Sequence, residues 1–353
     1  MTTQDSATTP FPTSTPSALD FTSGDALYIA SAAAEALPTL PLTDAVREGL
    51  ISEADAKITG YRCVTIAEDS RTVVDVGAAA ARSAIARAGV PATGIRNVLL
   101  ASVFPLAYPP IYNVPAAISE AVGVPSAFIA QISNASCTAG LDALILAAHR
   151  LLLTGDPTAL VVAADLWRMP HIDRFNVEQG YILSDGGTAV VLSREAGYAQ
   201  LIASATLTDP ALSGLHSHVP SDRTPVDVTA RARAFLKTRM GTEVVLPRRR
   251  AGLDATIDAC LAQAGIGLAD VDHVVVPAIG EPFLKRNYVD PLDIPVSRTT
   301  WDYTEVTGHI GAADQFGALA HLVDRGRCRS GDVILMIAEG AGFQWSVMLL
   351  KVQ

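Results

Sequence analysis

Apolar positions along the chain fall into short continuous runs separated by longer amphipathic stretches. Runs rich in Val, Ile, Leu and Ala predict strands over Ala26–Ala32, Asn97–Val103, Ala127–Ser133, Ala159–Asp165 and Gly187–Ser193. A second set covers Gln200–Leu207, His273–Ile279, Val333–Glu339 and Phe343–Lys351. Several lack polar alternation, the pattern of strands covered on both faces. Helical spacing recurs between them, over Val73–Ala88, Cys137–Leu153, Leu253–Ala264 and Ala312–Arg325. Strands alternating with helices predict an α/β fold.

The pattern repeats. Leu141–Asp165 (LDALILAAHRLLLTGDPTALVVAAD) is matched by Phe316–Glu339 (FGALAHLVDRGRCRSGDVILMIAE): an apolar helix, a Gly-Asp turn, then a buried strand ending in an acid. The shared order points to a duplication. Cys137 stands at the entrance of the first helix and His309 just ahead of the second. Two halves packed about a pseudo-twofold axis would bring these side chains face to face.

Composition narrows the class. A chain of 353 residues fits two domains or one duplicated fold. With 49% hydrophobic and 18% charged residues it has a large core to bury, which excludes global disorder. A net charge of −10 argues against sequence-nonspecific nucleic-acid binding, which needs a basic surface. The four cysteines are too few for a disulfide scaffold and none forms a CxxC pair, so no zinc knuckle or other metal site is expected. No apolar run has the length of a bilayer span, so no membrane partner is expected. Residues 1–25 are rich in Thr, Ser and Pro and lack the basic start and apolar stretch of a signal peptide. They read as a flexible tail, with a partner-binding linker as the alternative, and a cytoplasmic protein with reduced thiols is expected.

The strongest chemical candidate is Cys137, in Asn134-Ala135-Ser136-Cys137-Thr138-Ala139-Gly140 between a buried strand and a helix. The positive end of the helix dipole favours a thiolate there. Small neighbours allow close substrate approach, and the Cys137 N–H is placed to bind an oxyanion. Cys63, Cys260 and Cys328 sit in no such turn.

These segments carry a family resemblance. NASCTAGLDAL, then LSDGGTAVVLS (Leu183–Ser193), the stretch Thr59–Val90, and the closing GDVILMIAEGAGFQWSVMLL resemble the ketoacyl synthase III branch of the thiolase superfamily, over residues 26–353. The resemblance implies a thiolase-like five-layered αβαβα fold of two similar halves. One half, 26–195, would carry the cysteine; the other, 196–353, the histidine and glycine turn. It also implies a homodimer, no permanently bound cofactor, and acyl transfer through a cysteine thioester. The donor would be acyl-CoA or the phosphopantetheine of an acyl carrier protein. Asp185-Gly186-Gly187 resembles a structural turn of the family. The family position of Gly340-Ala341-Gly342 implies a second oxyanion N–H, from Ala341.

Two departures bear on the reaction. Condensing members use a Cys–His–Asn set, with the histidine in a Pro-His-Gln-Ala-Asn context. Here Pro277-Ala278-Ile279-Gly280-Glu281 stands there, and Ala278 replaces the histidine. The family asparagine sits in a Gly-Asn turn; here the turn is Gly308-His309, and histidine replaces asparagine. Decarboxylative condensation needs two donors on the carbonyl that becomes an enolate, and His309 alone supplies one. Moving an acyl group to a hydroxyl, amine or thiol needs a thiolate, an oxyanion hole and one base. The Gly-His-x-Gly-x-x-Asp pattern also resembles ketoacyl synthase III-like acyltransferases and starter-unit-selecting enzymes of polyketide and antibiotic pathways. Acyl transfer is therefore the leading expectation. A condensing starter-unit enzyme and a non-catalytic thiolase-fold partner are the alternatives. An acid should orient His309: Asp314, five residues on, or Glu339, at the end of a buried strand.

Other features are weaker. Arg248, Arg249 and Arg250, with Arg231, Arg233, Lys237 and Arg239, form a basic region in an acidic chain that could dock coenzyme A phosphates or a carrier protein. His216 and His218 read as a solvated loop rather than metal ligands. The segment holding Trp167, Met169, Phe175 and Tyr181 is, by resemblance, one that lines the acyl pocket and dimer contact.

Overall fold

A computed structural model describes residues 15–22, 24–103, 112–133, 136–216 and 225–353. In the N-terminal half the strands are β1 (Ser17–Asp20), β2 (Tyr28–Ala34), β3 (Thr39–Pro41), β4 (Cys63–Thr65), β5 (Asn97–Ala101), β6 (Phe128–Ile132), β7 (Thr158–Asp165) and β8 (Gly186–Ser193). Its helices are α1 (Leu42–Arg47), α2 (Glu53–Thr59), α3 (Val73–Ala88), α4 (Val114–Ala121) and α5 (Ala139–Thr154). The C-terminal half holds β9 (Ala199–Thr208), β10 (His273–Val275), β11 (Val333–Gly340) and β12 (Gln344–Val352). Its helices are α6 (Val228–Thr238), α7 (Thr242–Ala264), α8 (Glu281–Leu284), α9 (Asp290–Leu292), α10 (Trp301–Thr307) and α11 (Asp314–Asp324).

The two half-sheets share one plan. In the first, β2–β8 and β8–β7 are antiparallel while β7–β5 and β5–β6 are parallel. In the second, β9–β12 and β12–β11 are antiparallel and β11–β10 is parallel. A single parallel bridge, Val274 to Thr299, stands where β6 lies in the other half. The first strands of the two halves meet antiparallel, Tyr28 opposite Gln200, and join the sheets.

Strand residues alternate between two apolar cores, which explains the unbroken apolar runs. Along β7, Ala159, Val161 and Ala163 face a central core while Leu160, Val162 and Ala164 face an outer one. Along β11, Ile334, Met336 and Ala338 face the same central core while Leu335 and Ile337 face the opposite outer one. Helices α5 and α11 fill the centre. Helices α3 and α4 cover one outer face, and α7 the other. The result is five layers, αβαβα, and a thiolase fold.

The boundaries differ from expectation at three places. The expected tail is not wholly a tail: β1 pairs with β9, Ser17 opposite Thr206 through Asp20 opposite Ala203, giving partners to the β9 edge that β2 leaves open. Residues 1–14 and 23 of that stretch lie outside the described residues. The strand expected over His273–Ile279 ends at Val275, because Pro277 offers no ladder N–H and turns the chain towards the site. The helix expected from Leu253 begins at Thr242 and runs through Pro247. The stretch that proline would break is held by tertiary ion pairs of Arg248 and Arg249.

Close approach of the two central elements depends on Gly140. A Cβ at this position would lie 2.3 Å from the Ala312 carbonyl oxygen. Gly140→Ala should therefore push α5 away from the 311–313 turn, at a cost of about 1–3 kcal/mol. The expected result is a lowered melting temperature together with slower alkylation of Cys137. An unchanged melting temperature would contradict the close packing.

Candidate active site

Cys137 sits in a 3₁₀ turn, Ser136–Thr138, that runs directly into α5. Ser136 holds a left-handed backbone (φ 56°), which makes the turn sharp. His309 is pinned by its backbone. Its N–H donates to the Ile182 carbonyl at 3.0 Å, and its carbonyl accepts from Ser184 N–H at 2.7 Å. Gly308 permits this: at φ 75° a side chain there would be strained, and its Cβ would lie 2.2 Å from Ser184 Oγ.

The two halves bring these residues together. Cys137 Sγ lies 3.1 Å from His309 Nε2, and His309 Nδ1 lies 2.6 Å from Asp314 Oδ2. The same carboxylate accepts from Ile310 N–H at 2.7 Å and Ala278 N–H at 3.1 Å. It begins α11, where the helix dipole favours an anion. His309 and Asp314 are both buried. Burial alone would lower the imidazole's pKa. The Asp314 carboxylate and the Cys137 sulfur oppose it and hold the ring well above the usual histidine value. The ring is therefore disposed to carry a proton.

The second candidate acid lies elsewhere. Glu339 pairs with Arg249, and its Oε2 accepts from Tyr288 OH at 3.3 Å. The ring contact of His309 goes to Asp314, which lies one helix entrance away, whereas the direction of Glu339 is set by a cation on α7. Glu339 is thus a wall residue of the cavity rather than the partner of His309.

A cavity of about 190 Å³ opens over the sulfur, lined by Cys137, His309, Tyr181, Glu339, Ala341 and Phe343 among others. Ala341 lies in the turn between β11 and β12, so the two expected oxyanion N–H groups belong to residues of one cavity. Tyr181 sets its ring edge-on to His309, with centroids 4.9 Å apart, and its hydroxyl donates to Glu178. A second cavity of about 280 Å³ shares the Glu178–Tyr181 wall. Ala278 is buried, and its carbonyl accepts from Tyr61 OH at 2.8 Å.

Several expectations are corrected. The arginine triplet is not one free basic patch: each side chain meets an acid, and Arg249 also lines the cavity. Arg248 is buried and bonds Asp209 through Nε at 2.9 Å and Nη2 at 3.0 Å; Arg249 takes Glu339; Arg250 takes Asp254. Arg248→Ala should strand the buried Asp209 carboxylate and destabilise the protein by about 3–5 kcal/mol. Denaturant titration reads this; a loss of donor affinity at full stability would restore the docking reading. His216 is not in a solvated loop. It lines the cavity edge-on to Phe343, with centroids 5.4 Å apart, and burial lowers its pKa. His218 lies outside the described residues, as do Asn134 and Ala135 of the cysteine motif. Of the segment 167–181, Tyr181 reaches the main cavity; Phe175 lines the second, Trp167 is buried and Met169 is exposed. Among the described residues no group of three or more His, Cys, Asp or Glu side chains is placed to hold a metal. Glu178 and Tyr288 had no sequence signal, since they come from separate segments that only folding gathers.

The five layers and the cysteine at a central helix entrance give the chain a thiolase fold. Residues 261–352 match the family described as 3-oxoacyl-[acyl-carrier-protein (ACP)] synthase III C terminal. The beta-ketoacyl-[acyl-carrier-protein] synthase III of Hyphomonas neptunium is 28% identical over 325 residues, covering 89% of this chain and 96% of the relative. The solved structure of ChlB3, named an acyltransferase, is 29% identical with a TM-score of 0.87, over 93% of this chain and 98% of its own. The 3-oxoacyl-(acyl carrier protein) synthase III of Pseudomonas aeruginosa is 22% identical with a TM-score of 0.75, over 93% and 98%. The chain is thus similar in fold and sequence to ketoacyl synthase III-like proteins.

Proposed function

We propose that the protein is an acyltransferase that forms a thioester on Cys137 and passes the acyl group to a hydroxyl, amine or thiol. The observation that carries this is the Cys137–His309–Asp314 chain of contacts, 3.1 Å and 2.6 Å long, beside a position where Ala278 replaces the condensing histidine. The Cys137 thiolate attacks the donor's thioester carbonyl, and the N–H groups of Cys137 and Ala341 hold the oxyanion. The carbon–sulfur bond to the donor breaks, and protonated His309 supplies the leaving thiolate with its proton. The acceptor then attacks the enzyme thioester while neutral His309 takes its proton. The bond to Cys137 breaks and the thiolate returns. Asp314 keeps the proton on Nδ1, so that Nε2 exchanges protons with the reacting groups.

The donor is an acyl-CoA or acyl carrier protein, as the names of the synthase III relatives suggest; a related structure of Xanthomonas campestris OleA is described with bound lauroyl-CoA. A place in polyketide or other natural-product assembly and a cytoplasmic setting belong to the same reading. One helical stretch, Ser136–Thr154, passes a length-and-hydropathy test for a span, but more than half of the tested window is buried in the fold. A homodimer is supported by the open edge at β6, where Phe128 on the strand and Leu146 and Leu153 on α5 are exposed. Light scattering should read two chains.

The test is intact-protein mass after mixing with acetyl-, propionyl-, malonyl- and longer acyl-CoA, followed by peptide mapping and addition of candidate acceptors. An adduct on Cys137 that an acceptor discharges supports acyl transfer. A malonyl adduct recovered as acetyl with release of carbon dioxide favours condensation instead. No adduct from any CoA or carrier-protein donor would leave the non-catalytic partner reading standing and sink this one.

A further inference from the structure

Asp142 has no role in the chemistry above, yet its carboxylate is placed between the two parts that chemistry joins. It lies in the first turn of α5, five residues after Cys137, the spacing that also separates Asp314 from His309. It reaches across to the other half of the molecule. Oδ1 accepts from Ser346 Oγ at 2.6 Å, and Oδ2 accepts from Gln344 Nε2 at 2.7 Å. The Thr138 hydroxyl bonds the same carboxylate.

Gln344 and Ser346 are the first and third residues of β12, so both point to the face packed on α5. Gln344 closes the β11–β12 hairpin opposite Gly340, directly after Ala341-Gly342-Phe343. Ser346 is fully buried. One carboxylate thus grips the strand that leaves the turn and the helix that begins at the nucleophile. Burial pushes this carboxyl's pKa up, and the bonds from Ser346, Thr138 and Gln344 pull against it. A mostly buried acid with every bond directed at one junction is an expensive way to hold two elements unless their spacing matters.

The Cys137 and Ala341 N–H groups lie at the two ends of this clamp. No local chain segment sets their separation, since the clamped residues are about 200 positions apart in sequence. We infer that Asp142 is a positioning residue that fixes the spacing of the Cys137 and Ala341 N–H groups by holding the β11–β12 turn against the first turn of α5. The inference rests on the acyl-transfer reading.

Asp142→Asn keeps the shape but replaces one acceptor oxygen by a donor NH₂ and removes the charge, so the three donors Ser346, Gln344 and Thr138 are left with a single acceptor oxygen and the junction must rearrange. Two rates at Cys137 separate positioning from general damage. Acylation by a thioester donor passes through an oxyanion. Alkylation by iodoacetamide forms the sulfur–carbon bond with loss of iodide and makes none, so it reports the thiol and His309 alone. Asp142→Asn should slow acylation roughly 10- to 1,000-fold, the scale of a lost or misplaced oxyanion donor, with alkylation unchanged. Ser346→Ala removes one of the bonds without touching the acid, and should shift acylation in the same direction by less; it serves if Asp142→Asn does not fold. Equal losses in both rates, or no loss in acylation, would overturn the inference. Wild-type protein that is alkylated but never acylated by any donor would overturn the acyl-transfer reading, and this inference with it.

Discussion

Cys137→Ala should remove acyl-enzyme formation completely while leaving the protein folded. The side chain is partly exposed at the mouth of a cavity, so its loss opens no void in the core, and the residues that build the turn are untouched. Intact mass after exposure to a donor that labels the wild type should show no adduct. An adduct that survives would move the nucleophile to another thiol, of which Cys63 and Cys328 are partly exposed. The substitution also has an electrostatic consequence. His309 is held above its usual pKa by Asp314 and by Cys137, against burial. With the sulfur gone, its imidazole should titrate at lower pH than in the wild type, as read by NMR of the ring carbons. Because the folded-state value is raised, the protonated ring stabilises the fold fully below the unfolded value of about 6.5, and that stability is lost as pH rises through the folded value. Cys137→Ala should lose less stability than the wild type over that alkaline range.

Asp314→Asn should lower transfer to acceptor by roughly 100- to 10,000-fold, the range of a general base held in the wrong state. The carboxylate receives three donors: His309 Nδ1–H, Ile310 N–H and Ala278 N–H. An amide offers one oxygen and one NH₂ in the same space. If its oxygen takes the Oδ1 place and keeps Ile310 N–H, its NH₂ faces both Nδ1 and the Ala278 N–H, strands that N–H and drives the imidazole proton to Nε2, where the base needs a lone pair. If its oxygen keeps Nδ1–H, a buried backbone N–H loses its partner, at about 1–3 kcal/mol. The variant should thus lose rate or stability, and a melting curve beside kcat/KM tells which. Glu339→Gln is the control. It removes the charge that Arg249 pairs with and should leave the His309 titration close to wild type. A shift there as large as that of Asp314→Asn would return Glu339 to the role of orienting acid.

Much of this molecule is a consequence of local sequence. The α3 helix occupies Val73–Ala88 as its spacing predicts, bounded by a Thr72–Asp75 capping box and by Gly89 in a left-handed cap. The unbroken apolar runs of β7 and β11 announce strands buried on both faces, and the matched helix–turn–strand units announce the duplication. Cys137 and His309 at matching helix entrances are legible for the same reason, because a repeated unit places equivalent residues at equivalent ends.

What local pattern does not contain is which charged groups meet. Arg248, Arg249 and Arg250 read as one basic patch, yet successive residues on a helix point about 100° apart: Arg250 pairs with Asp254 one turn along its own helix, while folding sends Arg248 to Asp209 and Arg249 to Glu339. Sequence favours Asp314 over Glu339 as the partner of His309 only by a small margin until the cation beside Glu339 is located on another layer. The β1 pairing is equally invisible, since four unremarkable residues become a strand when β9 presents an open edge. Hydrophobic period is set residue by residue along the chain and survives in the sequence. Pairing of donors, acceptors and charges is set by approach of segments 30 to 200 residues apart, and only the packed layers decide it.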